Sequence, residues 1–220
     1  MHAYDQEQAR FNMIEQQIRP WDVLDQQVLD TMANMPRDLF TPEDYQSLAY
    51  ADTEIPIGHG HHMMAPKIEA RLLQALAIKS DETVLEIGTG SGYLTACLSR
   101  LAKQVHSVDI HDDFTTLART HFQQLGLENI ILYNEDASRG WGKEGRYDAI
   151  AITASMPEYH QGFEQALTVG GRLFVITGQA PVMEATLVTR LNETDFARQF
   201  LFETCIEALD GLLPPKRFAL

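Results

Sequence analysis

Nine residues carry the sharpest chemical signal in the chain: Leu85-Glu86-Ile87-Gly88-Thr89-Gly90-Ser91-Gly92-Tyr93. An apolar run of strand length feeds a turn with glycine at every second position, and a helical pattern follows. Residues without a Cβ let the backbone turn tightly and approach a ligand beyond the carboxyl end of a strand. The dinucleotide fingerprint is G-x-G-x-x-G, whereas these glycines fall one residue short of it, which argues against a nicotinamide oxidoreductase. A carboxylate at the end of the next strand completes such a site by accepting both ribose hydroxyl protons. Asp109 meets this requirement, because it follows Gly88 by 21 residues, close to the spacing of about 20 that this geometry needs.

The elements that must position these residues can be read from periodicity. From Pro66 onward, strand-length apolar runs alternate with amphipathic helical stretches, the pattern of βαβ units around a parallel sheet. Helices are expected over 66–77, through Leu94, Cys97, Leu98 and Leu101, over 113–124 and over 157–167. Strands are expected at 83–87, 104–108, 130–133, 147–152 and, launched by a Gly170-Gly171 turn, 172–176. Two further strands, 185–191 and 196–206, are joined by Asn192-Glu193-Thr194-Asp195 and form an antiparallel hairpin at the sheet edge. The expected fold is therefore α/β, a doubly wound, mostly parallel seven-stranded sheet.

Residues 1–65 read as a helical cap, with helices over 4–18 and 25–35 and a third opened by Thr41 as cap, Pro42 in its first turn and Asp44 as a capping-box acid. An extended stretch over 51–57 and a loop over 58–65 join this cap to the main domain, residues 66–220.

The composition limits the function. Seventeen Lys and Arg against 31 Asp and Glu leave a formal charge of −14, and no basic run interrupts it. Binding a phosphate backbone needs clustered cations, so nucleic acid is not an expected partner. Two cysteines among 220 residues exclude a disulfide scaffold and fit a reducing compartment. Cys97 falls on an apolar helix face as a buried thiol. With no signal-peptide core in the first thirty residues and no apolar span later, a cytoplasmic protein that does not enter membranes is expected.

The G-x-G-x-G turn resembles that of class I S-adenosylmethionine-dependent methyltransferases. More specifically, Leu48-Ala49-Tyr50-Ala51-Asp52, Ile55-Pro56-Ile57-Gly58, Pro66, the 84–93 segment, Tyr147-Asp148-Ala149-Ile150 with Thr153-Ala154, and Val169-Gly170-Gly171-Arg172-Leu173 together resemble the protein-L-isoaspartate (D-aspartate) O-methyltransferase family. The resemblance covers residues 28–178 well. It implies S-adenosylmethionine as cofactor, S-adenosylhomocysteine as product, and repair methylation of isoaspartyl carboxylates in damaged proteins. It also places the cofactor on Gly88, Thr89, Gly90, Gly92, Asp109 and Ile110, with Asp136 and Ala137 at the adenine.

The substrate loop departs from that family. Its pattern carries Ser or Thr two residues before the proline, and here His59-Gly60-His61-His62-Met63-Met64-Ala65-Pro66 puts Met64 at that position. A thioether cannot donate a hydrogen bond. Either His61 or His62 takes over with backbone amides, or the chain keeps the cofactor half alone, serving another acceptor or acting as a binding or regulatory protein. No metal is expected at these histidines, since adjacent side chains point apart and no Cys or His at ligand spacing accompanies them. Trp21 and Trp141 are candidates for cap or cleft contacts, or for packing.

Overall fold

The computed structural model describes residues 3–142 and 145–212. Alternation along the strands explains the architecture. Val84, Ala149, Ala151, Phe174 and Ile176 point into one core, while Leu85, Ile87, Ile150, Ile152, Leu173 and Val175 point into a second on the opposite face. Strands apolar on both sides belong in the middle of a covered parallel sheet. That sheet contains β3 (Thr83–Ile87), β4 (Gln104–Asp109), β5 (Ile130–Asn134), β6 (Tyr147–Met156), β7 (Leu167–Gln179), β8 (Val182–Arg190) and β9 (Phe196–Thr204). Its spatial order is β5-β4-β3-β6-β7-β8-β9, parallel through β7, with β8 antiparallel to both neighbours. This is the expected seven-stranded, mostly parallel fold with an antiparallel edge. The chain order reverses between β3 and β6, and such a switch point opens a crevice beyond the strand ends.

Three helices, α3 (Pro66–Leu76), α4 (Tyr93–Leu101) and α5 (Asp112–Gln124), cover the first face, together with the N-terminal elements α1 (Ala3–Asn12) and α2 (Gln26–Asn34). Asp25 caps α2 by accepting from the amides of Gln27 and Val28. The second face is covered more lightly, by Trp141, Phe163 and the short α6 (Gly162–Gln165).

Several local expectations change. The helix expected over 157–167 is only the turn of α6, because Leu167 is drawn into β7 opposite Tyr147. The Gly170-Gly171 pair does not precede β7 but lies within it, where the register shifts against β6 and Gly170 has φ +84°. Helix α1 gives way at Met13 to a π-helical turn, Met13–Ile18, that buries Met13, Ile14 and Ile18. The third N-terminal helix is a 3₁₀ segment, Glu43–Leu48, without a side-chain cap. Thr41 instead donates to the Arg37 carbonyl at 3.0 Å. The joining stretch and loop form an antiparallel hairpin, β1 (Ile55–Gly58) and β2 (His61–Met63), turned at His59 (φ +53°) and Gly60 (φ +83°). The second position suits glycine, and the first is a strained one for histidine. Among the described residues, no helix is long and apolar enough to cross a membrane.

Candidate cofactor and acceptor site

The end of β3 is held from both sides. Gly88, at φ +97°, donates its amide to Val108 at 2.8 Å. On the β6 side, Thr153 Oγ1 lies 3.0 Å from the Ile87 carbonyl and 2.8 Å from that of Gly88. A Cβ on Gly88 would meet that oxygen at 2.3 Å, so glycine is required by contact as well as by conformation. Gly90, at φ +51°, aims its amide at Asp109 Oδ2 at 2.8 Å, and the His111 amide reaches Oδ1 at 2.9 Å. Each carboxylate oxygen keeps a further lone pair, so Asp109 retains capacity for a diol.

Beneath this turn runs a buried chain of hydroxyls. Thr89 pairs with Ser107 at 2.6 Å, and Ser107 and Thr95 both donate to Glu86 Oε2. Burial pushes the Glu86 carboxyl up to about 8. The Thr89 side chain is therefore turned under the turn. Gly92 also faces away from the cleft: a Cβ there would strike Ala118 at 2.8 Å and Phe122 at 3.0 Å, so its role is to let α4 approach α5.

The crevice is a cleft of about 580 Å³ lined by Gly88, Gly90, Asp109, Ile110, Asp136 and Ala137, among others. Ile110 leaves 44% of its surface exposed, an apolar wall suited to a flat ring. The Ser138 amide donates to Asp136 Oδ1 at 2.8 Å and holds that carboxyl below its ordinary range.

A smaller hollow of about 260 Å³ adjoins this cleft across His61, His62, Thr153 and Ala154, and is completed by Glu54, Met63, Met64, Ile206 and Glu207. The Met64 side chain is buried, and its carbonyl accepts from Arg37 Nη2 at 2.7 Å. Arg37 is itself paired with the buried Glu69. His62 Nδ1 lies 2.7 Å from Glu207 Oε1, and burial together with the Glu207 charge raises the Glu54 pKa. His61 is drawn elsewhere, to Asp210.

Spacing in the sequence offered no sign of Glu54, Glu207, His111 or Asp210 as site residues. The segment 206–211 reaches the cleft by pairing with the end of β6: Ser155 donates its amide to the Glu207 carbonyl at 2.7 Å, and Leu209 donates to the Ser155 carbonyl at 2.9 Å. Both tryptophans are packing residues. Trp21 meets Phe202 edge-on at 6.2 Å, and Trp141 is buried 5.1 Å from the Tyr133 ring. Cys97 is buried, and its thiol is pushed up by that burial.

The family described as protein-L-isoaspartate(D-aspartate) O-methyltransferase matches residues 8–205. A protein-L-isoaspartate O-methyltransferase of Syntrophus aciditrophicus is 38% identical over 187 residues, 85% of this chain and 86% of that protein. A Xanthomonas campestris protein of the same description is 35% identical over 208 residues, 94% of this chain and 92% of its own length. The fold is also that of a Plasmodium falciparum chain described as a protein-L-isoaspartate O-methyltransferase in complex with S-adenosyl-L-homocysteine. That match has a TM-score of 0.79 at 21% identity and covers 93% of this chain and 98% of the other.

Proposed function

The chain belongs to the protein-L-isoaspartate(D-aspartate) O-methyltransferase family, and from that membership we propose how its own residues perform the family's reaction. The protein is an S-adenosylmethionine-dependent carboxyl O-methyltransferase acting on isoaspartyl residues of damaged proteins. The observation that carries the assignment of its cofactor site is the convergence of Gly88, Gly90, Asp109 and Asp136 on one cleft at the sheet's switch point.

The cleft's chemistry fits the cofactor. Asp109 takes the ribose hydroxyls, Ile110 covers one face of the adenine, and Asp136 with Ala137 meets its exocyclic amine. Gly88 and Gly90 allow the close backbone approach, which a Cβ at Gly88 would disturb. S-adenosylmethionine supplies an electrophilic sulfonium methyl. The substrate carboxylate, with a reference pKa of about 4, is ionised at neutral pH and needs no general base. What remains for the protein is to orient the carboxylate and exclude water.

Met64 cannot donate to that carboxylate, and His61 faces Asp210. His62 places Nδ1 against Glu207 and lines both the cleft and the adjoining hollow, so its Nε2–H is the donor that replaces the family's hydroxyl, supported by backbone amides of the 58–65 segment. Met63 and Met64 supply apolar walls. The overall charge of −14 opposes an incoming carboxylate, so capture depends on these local donors. The same charge favours a protein or peptide partner over nucleic acid, in the cytoplasm.

Incubation with an isoaspartyl peptide and methyl-labelled cofactor tests this reading. A base-labile methyl ester is expected. Cofactor binding without any ester above background would overturn it.

A further inference from the structure

We propose that His61, His111 and Asp210 form a binding site for a divalent transition-metal ion of the zinc type at the mouth of the cofactor cleft. The two imidazoles converge on one oxygen: His61 Nε2 lies 3.1 Å and His111 Nε2 2.8 Å from Asp210 Oδ2. All three ligand atoms fall within 4.8 Å of one another. A tetrahedral zinc ion with bonds of about 2.0–2.1 Å separates its ligand atoms by about 3.3 Å, so small side-chain adjustments admit it. Two neutral imidazoles and one carboxylate suit zinc and its neighbours, whereas magnesium and calcium require oxygen donors throughout.

Each ligand stands on a held segment. His61 is paired in the β1–β2 hairpin, His111 precedes α5 with its amide on Asp109, and Asp210 follows the stretch bonded to β6. Behind His111, the His59 ring stacks at 3.9 Å and is anchored by Asp113 at 2.9 Å, which orients the imidazole. His59, His111 and Asp113 also approach one another, and this second trio competes with the first for His111. The side chains of His59 and Asp113 are 41% and 65% exposed, against 19% for His61 and 45% for Asp210. The better-sheltered trio is therefore the site. The remaining exposure leaves an entry path and room for a water as fourth ligand, and the acidic chain concentrates cations around it. A bound ion ties 206–211 to β2 and the start of α5 across the cleft.

Calorimetric titration of untagged, chelator-stripped full-length protein with Zn2+ tests the site, with Co2+ as a spectroscopic probe. One Zn2+ per chain at micromolar affinity is expected, and Co2+ gives the intense visible bands of a four-coordinate site. His61→Ala and His111→Ala each weaken Zn2+ binding about tenfold or more, and His59→Ala weakens it less. Asp210→Asn preserves shape while removing the anionic ligand, so loss of zinc with an unshifted metal-free Tm supports the site independently of folding. Absence of stoichiometric binding overturns the proposal, as does binding lost in His59→Ala and Asp113→Asn but kept in His61→Ala and Asp210→Asn.

Discussion

The hydroxyl oxygen of Thr153 lies 2.8 Å from the carbonyl oxygen of Gly88, so the side chain of one central strand holds the glycine turn that ends its neighbour. The contact ties the glycine turn at the proposed cofactor cleft to the adjoining hollow, since Thr153 lines both spaces.

Gly88→Ala places a methyl 2.3 Å from Thr153 Oγ1 at a backbone φ of +97°. Left-handed backbone alone costs about 1–2 kcal/mol for an L-residue, and the clash adds to it. Lower Tm and weaker S-adenosylhomocysteine binding are expected. Adding Thr153→Ala removes the hydroxyl but leaves the strained φ, so it restores part of the loss. Unaltered cofactor affinity in the single variant would detach this turn from the cofactor site.

Asp109→Ala deletes the proposed acceptor for the ribose and frees the amides of Gly90 and His111. Hydrogen bonds to a charged group are worth about 2 kcal/mol, so S-adenosylhomocysteine should bind roughly 30-fold more weakly. Isothermal titration decides the point, and an unchanged Kd would refute the ribose assignment.

His62→Ala should lower kcat/KM for an isoaspartyl peptide about 5- to 30-fold while leaving cofactor Kd unchanged, the result of losing one substrate-side hydrogen bond. Introducing Met64→Ser on that background supplies a hydroxyl at the family's position and should recover part of the rate. Equal kinetics in wild type and His62→Ala would exclude His62 as the donor.

Glu86 is fully buried, and that burial moves its pKa from 4.5 to about 8. The folded state therefore binds this proton more tightly than the unfolded chain does. The stability this group contributes is complete below pH 4.5 and is lost as pH climbs through about 8. Glu86→Gln is neutral at every pH and accepts from Thr95 and Ser107 through its amide oxygen. Relative to the variant, wild-type Tm should fall between about pH 5 and about pH 9. The slope that persists in the variant includes Glu69, raised to about 7 by burial against the opposing pull of Arg37. Parallel Tm curves for wild type and variant would contradict the burial argument.

Much of this protein is legible along the chain because its determinants are local. The alternation of apolar runs and helical stretches after Pro66, the glycines at 88, 90 and 92, and the placement of Asp109 follow from strand and helix periods and from one βαβ repeat. Even there, a glycine in a motif does not state its neighbour: Gly92 serves the packing of α4 on α5, as only the proximity of Ala118 and Phe122 shows. Local propensity over 157–167 favours a helix, but the pairing of Leu167 with Tyr147 outweighs it.

The acceptor side and the histidine cluster were decided by tertiary structure. Asp210 stands 149 residues from His61 and 99 from His111, separations at which no periodicity or motif relates residues. They meet because the sheet order opens a crevice at β3 and β6, and because 206–211 hydrogen-bonds to the end of β6 and carries its acids across that opening. Local sequence determined the cofactor turn, whose geometry depends on backbone freedom within a few residues. Long-range strand pairing determined what faces it.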